Sequence, residues 1–225
     1  MLQRSKLFVF AMLASIVSAA PARAQVVTYT DEDLWRLAAG TYALETFDGF
    51  TAGTQISTLS NLGVSLDALD GSGAFPAAYD NYCGGSPRSG VNTLINFGYP
   101  CSFTPKGDLV FRPLAGVTIY SLGYWNTGGD DATQLQFFDV NDQLLGSMQI
   151  TAYGFIGIVS TVAAYRVRIS EIGGNTIFGI DDLQIGTTSV SAVPEPSTFA
   201  LTLLAFGALL ASVAWRSKRK GAVSR

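Results

Sequence analysis

Two long uninterrupted apolar runs lie near the two ends of this chain, and the residues between them follow a different pattern. There, short apolar stretches alternate with polar positions at a period of two and are separated by Gly, Asn and Asp. This pattern is typical of half-buried strands joined by tight turns. The candidate strands are residues 43–47, 63–67, 117–125, 134–140, 143–150, 165–170 and 176–185. Many short strands with Gly-rich turns predict a mainly β, antiparallel β-sandwich.

One short helix is predicted ahead of the strands, from Thr30 to Gly40. Thr30 is a candidate N-cap, acidic residues follow it in the first turn, and Gly40 is a stop signal. The helical spacing places three apolar side chains on one face, namely Leu34, Leu37 and Ala38. We expect this face to pack on one end of the domain.

The N-terminal apolar run predicts a cleaved signal peptide over residues 1–24. Arg4 and Lys6 precede an apolar stretch at 7–17, and Ala22-Arg23-Ala24 is a small-x-small cleavage site. The predicted ectodomain is therefore residues 25–185, long enough for one domain with its own core. Residues 186–193 are rich in Ser, Thr and Gly and predict a flexible linker.

Charge is distributed unevenly. Eight of the 14 basic residues lie in the two terminal segments, whereas 16 of the 17 acidic residues lie within 25–193, so the body carries a net charge of −10. Such a surface repels nucleic acid, which we exclude as a partner. It is also the ordinary composition of a soluble exported domain.

Cys83 and Cys101 are the only cysteines, and both lie in the predicted exported body. An even cysteine count in an oxidising compartment predicts one structural disulfide. The pair lies in residues 70–108, which are rich in Gly, Pro, Ser and Asn and predict a long loop excursion.

The composition limits the possible chemistry. The chain has no histidine, which excludes Ser-His-Asp and Cys-His catalysis and His-bearing zinc sites. Paired carboxylates converging from distant strands, as in a glycan-active hydrolase, stay open as the alternative function. The adjacent pairs Asp130-Asp131 and Asp181-Asp182 support it poorly, because neighbours on a regular strand point to opposite faces. We therefore predict a protein without enzymatic activity.

The C-terminal run has a more specific context. The motif Val193-Pro194-Glu195-Pro196-Ser197-Thr198 is followed by 17 uncharged residues, 199–215, and then by a basic cluster. That order predicts a short transmembrane helix with its basic end in the cytoplasm. It also resembles the PEP-CTERM sorting signal of Gram-negative bacteria, here spanning residues 194–220. The resemblance implies an exosortase as processing partner, a transient membrane anchor, and delivery to the cell envelope, outer surface or extracellular matrix.

A second resemblance concerns the two ends of the body. The opening pattern at 44–50 with Gly53-Thr54, and the closing pattern at 178–183, look like the ends of galactose-binding or carbohydrate-binding jelly-roll domains. In calcium-bearing members a structural ion ties the chain ends together. The resemblance implies Ca²⁺ at Glu45 and Asp182, with Asp48 and Asp181 as further candidates, since calcium takes oxygen ligands.

A sugar ligand would need flat aromatic side chains beside polar groups. Trp125 ends a predicted strand and is followed by a polar turn, and the other candidate ligand-binding residues are Tyr124, Tyr79 and Tyr82. Burial of Trp125 in the core is an equally open interpretation. The sequence thus predicts an exosortase-sorted envelope or exopolysaccharide-matrix protein that serves as a glycan-binding or a structural module.

Overall fold

The computed structural model describes residues 26–69, 73–80, 86–98, 102–128, 131–173 and 177–189. The chain forms two compact units, Met1–Val190 and Ser191–Arg225, and the second lies outside the described residues. The predicted signal peptide, sorting motif and membrane helix therefore also lie outside them. Within the described ranges, no helix is long and apolar enough to cross a membrane.

The described body is built mainly of β-strands, with one helix, α1, at Glu32–Ala39. The strands are β1 Val26–Tyr29, β2 Tyr42–Glu45, β3 Thr58–Leu59, β4 Val64–Leu66, β5 Ala77–Asp80, β6 Asn92–Ile95, β7 Phe97–Gly98, β8 Ser102–Lys106, β9 Leu109–Pro113, β10 Ile119–Asn126, β11 Thr133–Phe138, β12 Leu144–Ile150, β13 Gly154–Ala164, β14 Arg166–Glu171 and β15 Gly179–Gly186.

The strands form two main antiparallel sheets. The seven-stranded sheet has the order β1-β13-β10-β15-β6-β5, and β2 also pairs with β15. The six-stranded sheet has the order β12-β11-β14-β9-β4-β3, and β7 and β8 form a separate hairpin. The last strand, β15, lies inside the seven-stranded sheet and pairs along its two edges with β10, β2 and β6.

The two main sheets share one large apolar core. Its fully buried members include Leu122, Ile156 and Leu183 from the seven-stranded sheet, and Phe111, Leu135, Phe137 and Val167 from the six-stranded sheet. On β11 the buried and half-buried residues alternate along the whole strand, as expected where one sheet face is covered. Two sheets that share one core in this way are consistent with the predicted β-sandwich, whereas the jelly-roll connectivity stays a prediction.

The predicted helix is confirmed, but its details differ. Asp31, not Thr30, is the N-cap, because its Oδ1 accepts the Leu34 N–H at 2.9 Å. The predicted packing face was wrong: Leu34 and Leu37 are exposed, while Trp35 and Ala39 are buried. The helix lies on the face of the seven-stranded sheet that points away from the shared core. Its one tryptophan, Trp35, is buried there and sets which side of the helix faces the sheet.

The predicted loop excursion at 70–108 was also wrong in part, because this region contains β5, β6, β7 and β8. β6 is buried at all four positions, so its sequence shows no alternation. The longest strand, β13, was missed for the same reason, because six consecutive residues, Phe155 to Ser160, are buried. Strands covered on both faces lose the period-two signal on which the sequence prediction relied.

Candidate functional site

The outer face of the seven-stranded sheet is shaped by two glycines that admit the Trp35 ring. Gly123 on β10 and Gly157 on β13 are paired. A Cβ on Gly157 would collide with the Trp35 ring, and a Cβ on Gly123 would collide with Phe155 and crowd Trp35. The Trp35 Nε1–H donates to the Ile158 carbonyl oxygen at 3.2 Å. Helix α1 is thereby fixed against the sheet at one place, which determines where its charged residues lie.

Glu32 at the start of α1 joins the helix to the two central strands. Its Oε1 accepts hydrogen bonds from Arg36 Nη2 at 2.7 Å and from Gln184 Nε2 at 2.6 Å. Its Oε2 accepts one from Trp125 Nε1 at 3.0 Å. Arg36 Nε in turn donates to Gln184 Oε1 at 3.0 Å. This network fixes the indole of Trp125 by its polar edge.

Trp125 is half-buried and contacts two side chains that reach solvent. The Arg88 guanidinium carbon lies 4.5 Å from the Trp125 ring centroid, within the range of a cation–π contact. The Tyr153 ring lies 5.6 Å away at an interplanar angle of 47°, and Tyr153 is 44% exposed. The Phe155 ring packs edge-on against Trp125, with the two ring centroids 6.2 Å apart. We call Arg88, Trp125 and Tyr153 the aromatic patch.

A bulge in β15 places Asp181 beside this patch. Gly123 is opposite Gln184 and Trp125 is opposite Asp181, so two steps along β10 correspond to three along β15. Asp182, within the extra step, has a φ of 46°, in the left-handed region that Asp tolerates better than most residues. The bulge lets Asp181 and Asp182 both reach the same neighbouring loop, which a regular strand would prevent.

That loop is held mainly through the Asp181 carboxylate. Its Oδ2 accepts the backbone N–H groups of Arg88 at 2.7 Å and Ser89 at 2.9 Å, and its Oδ1 accepts the N–H of Asp182. The Ser89 hydroxyl donates to Asp182 Oδ1 at 2.6 Å. Burial raises the pKa of Asp181 to about 6, although the backbone donors to its carboxylate act in the opposite direction.

The same loop is held from its other end by Asp48. Asp48 Oδ1 accepts the N–H groups of Val91 at 2.6 Å and Asn92 at 3.1 Å. Gly90 between the two holding points has a φ of 52°, and a Cβ there would overlap the Asp48 carboxylate. Residues 88–92, which we call the Ser89 loop, are thus fixed by one carboxylate from each end of the body, and Arg88 is positioned over Trp125.

The prediction that Tyr124 and Tyr79 contact a sugar is wrong, because both side chains are buried. Tyr124 is fully buried, and its hydroxyl shares a hydrogen bond with Thr133 Oγ1 at 2.9 Å. Burial raises the pKa of Tyr124 far above its ordinary value. Tyr79 is 2% exposed, so its ring does not face solvent either. Tyr124 faces the shared core, whereas Tyr79 packs in a separate apolar cluster with Ile95 and Phe97. The sequence pattern did not separate such buried strand positions from exposed ones.

Other predicted positions lie outside the described residues. These are Tyr82, both members of the Cys83–Cys101 pair, and Val193, Pro194, Glu195, Pro196, Ser197 and Thr198 of the sorting motif. The disulfide stays a prediction.

The predicted calcium ligands already have other partners. Glu45 accepts the Phe47 N–H through Oε1 and the Asn61 side-chain amide through Oε2, both at 2.8 Å. Within the described part of the chain, no three acidic, histidine or cysteine side chains form a group that could hold a metal ion. Oxygens that accept N–H donors fit calcium poorly, because the ion needs their lone pairs. Calcium stays a prediction without support from this geometry.

The sequence interpretation missed Arg88, Tyr153, Glu32 and Gln184. Their roles depend on the bulge in β15 and on the space that the two paired glycines leave for the Trp35 ring. Neither feature can be recognised from a short stretch of sequence.

A second depression, with a volume of about 620 Å³, lies among the turns that join β9 to β10, β11 to β12 and β13 to β14. Its lining is mostly apolar and includes none of the predicted site residues.

A comparison with protein families matches residues 192–220 to the PEP-CTERM protein-sorting motif. The matched part is a small fraction of the chain and lies after the described body. No curated protein matches the chain. The motif indicates an exported protein that is processed by an exosortase and has a membrane-anchored C-terminus before processing.

Proposed function

We propose that the exported body is a non-enzymatic glycan-binding module of the cell envelope or the exopolysaccharide matrix. The observation that carries the proposal is the pairing of half-buried Trp125 with exposed Tyr153 on the outer face of the seven-stranded sheet. The apolar face of an aromatic ring can pack against the face of a sugar ring, and Trp and Tyr also carry a polar group at the ring edge.

The aromatic patch is held before any ligand arrives. Glu32 fixes the Trp125 edge, and Asp181 fixes the backbone that carries Arg88. A surface whose side chains are already ordered loses less conformational entropy on binding. This favours recognition over a purely accidental cluster of surface aromatics.

The carboxylates near the patch support binding more than catalysis. Asp181 accepts three backbone N–H groups, and Asp182 accepts the Ser89 hydroxyl. A glycosidase needs one carboxyl to protonate the leaving oxygen and a second to act as base or nucleophile. Two adjacent carboxyl groups that both hold the Ser89 loop do not bracket a glycosidic bond, so we rank the hydrolase alternative lower.

A purely structural matrix module is the second candidate. It is favoured by Arg88, whose guanidinium covers part of one Trp125 face, and by the Trp125–Glu32 hydrogen bond. Under that function Trp125 only joins α1 to the sheet, and Tyr153 has no ligand.

A binding assay separates these two candidates. Residues 25–193 should be retained by insoluble polysaccharide, and Tyr153→Ala should lose most of that retention. Tyr165→Ala is the matched control, because Tyr165 is 53% exposed but lies in the β13–β14 connection, outside the aromatic patch. No retention of the unaltered body on a panel of polysaccharides would favour the structural module.

The processing step has its own test. Mass spectrometry of the native envelope protein should find the residues before the sorting motif and lack those from Phe199 onward. An intact peptide containing Trp215 as the main form would instead indicate an unprocessed membrane anchor.

A further inference from the structure

The arginines of the body differ in how their charges are neutralised. Residues 25–193 contain five, and four of them make ion pairs, namely Arg36 with Glu32, Arg112 with Asp67, Arg166 with Asp142 and Arg168 with Asp108. The fifth is Arg88, which is exposed. Across the described ranges, its guanidinium has neither an ion pair nor a hydrogen bond. In a body with a net charge of −10, an arginine without an acidic partner is notable.

The position of Arg88 is set by its backbone, not by its charge. Its N–H is held by Asp181 Oδ2, and its guanidinium rests on the Trp125 ring. Two described acidic groups of this region already have partners: Glu32 accepts from Arg36, Gln184 and Trp125, and Asp181 accepts backbone N–H groups. Among the residues that the structure describes, the guanidinium N–H donors of Arg88 therefore have no acceptor and are open to a partner from outside the chain.

From this arrangement we infer that the aromatic patch binds a carboxylate-bearing saccharide, that is, a polysaccharide containing uronic acid. The sugar ring lies against Tyr153 and the open part of Trp125, and the sugar carboxylate accepts two N–H bonds from Arg88. A planar guanidinium matches a carboxylate in this paired geometry, and such charge-assisted bonds are stronger than neutral ones.

The net negative charge of the body does not prevent this contact. At physiological ionic strength, charges more than about 8 Å apart in solvent are largely screened. The Arg88–carboxylate contact is far shorter than that distance. Repulsion from the rest of the surface then weakens the binding of long acidic chains at low salt, and moderate salt relieves it.

This inference rests on the proposed glycan binding, and one experiment separates the two. The affinity of residues 25–193 is measured for polygalacturonate and for the same polymer after chemical reduction of its carboxyl groups. We expect the acidic form to bind about tenfold more tightly, as one charge-assisted contact allows. Arg88→Gln should remove that preference, so that the acidic and the reduced polymer bind this variant with equal affinity.

Two further variants complete the design. Arg166→Gln is the matched control, since Arg166 also stacks on an aromatic ring, Phe138, but is already paired with Asp142. Tyr153→Ala should weaken the binding of both polymers, and thermal unfolding confirms that each variant is folded. Equal affinity for both forms, or a preference that survives Arg88→Gln, overturns the inference but leaves glycan binding intact. Failure of the unaltered body to bind either form overturns both.

Discussion

The backbone N–H of Ser89 donates to the buried Oδ2 of Asp181 at 2.9 Å, across 92 positions of sequence. This contact joins the last strand to the loop that carries Arg88. Together with Asp48, it makes the position of the aromatic patch depend on carboxylates that the sequence suggested as metal ligands. Their observed role is to accept N–H groups, and the burial of one of them, Asp181, leads to a pH-dependent prediction.

The stability of the body should respond to the protonation of Asp181. Its pKa is about 6 in the folded chain and near its ordinary value of about 3.8 when unfolded. Between these values the folded chain keeps a proton that the unfolded chain has released. The contribution of Asp181 is therefore fully present below about pH 3.8 and is lost as the pH rises through 6.

Urea unfolding from pH 4 to pH 7 measures this effect. The free energy of unfolding of the unaltered body, relative to Asp181→Asn, should fall across that range. Asp67→Asn, which alters an exposed ion pair with Arg112, is the control. The free energy of unfolding of the unaltered body relative to Asp67→Asn should not fall across the same range. If the difference in unfolding free energy between the unaltered body and Asp181→Asn is constant with pH, burial does not raise the pKa of Asp181.

The Ser89 loop should not tolerate a side chain at Gly90. Gly90→Ala combines a left-handed φ of 52° with an overlap between the new Cβ and the Asp48 carboxylate. Gly116→Ala is the matched control, because Gly116 has a φ of 81° but a Cβ there would meet no atom within 4 Å. We expect Gly116→Ala to cost about 1 kcal/mol of unfolding free energy. Gly90→Ala should cost about 1–3 kcal/mol more, since the Asp48 carboxylate must move away and release the N–H groups of Val91 and Asn92. Equal losses in chemical denaturation would mean that Asp48 does not hold this loop.

Gly157 should also be sensitive to substitution, in this case because of packing. Gly157→Ala places a methyl group against the Trp35 ring and should destabilise the body by about 1–3 kcal/mol. At Gly49 a Cβ meets no atom within 4 Å, so Gly49→Ala should change stability little. The midpoints of thermal unfolding compare the two variants. A Gly157→Ala protein as stable as Gly49→Ala would show that Trp35 does not occupy this slot.

Most of the fold, but little of the site, could be predicted from the sequence. Alternation at Val167 and Ile169 identified β14, and Gly40 ended the helix as expected. Local pattern could not show that Leu37 is exposed and Trp35 buried, because Trp35 depends on glycines in two distant strands.

The site depended on longer-range features. The rule that neighbouring residues point to opposite faces applies to a regular strand and not to Asp181 and Asp182, because β15 contains a bulge there. Arg88 lies in a Gly- and Ser-rich segment that carries no charge pattern. Its importance follows from the contrast with the other four arginines, which have ion pairs, whereas Arg88 has none with any residue that the structure describes.

Tryptophan accessibility tests the central claim, glycan binding at the aromatic patch, most directly. Residues 25–193 contain two tryptophans, buried Trp35 and half-buried Trp125. Acrylamide quenching of their fluorescence is measured with and without polygalacturonate, and Trp125→Phe isolates the signal of Trp35. We predict that the polysaccharide protects the Trp125 fluorescence from quenching and leaves Trp125→Phe unaffected. Quenching of the unaltered body that does not change at saturating polysaccharide would contradict the account.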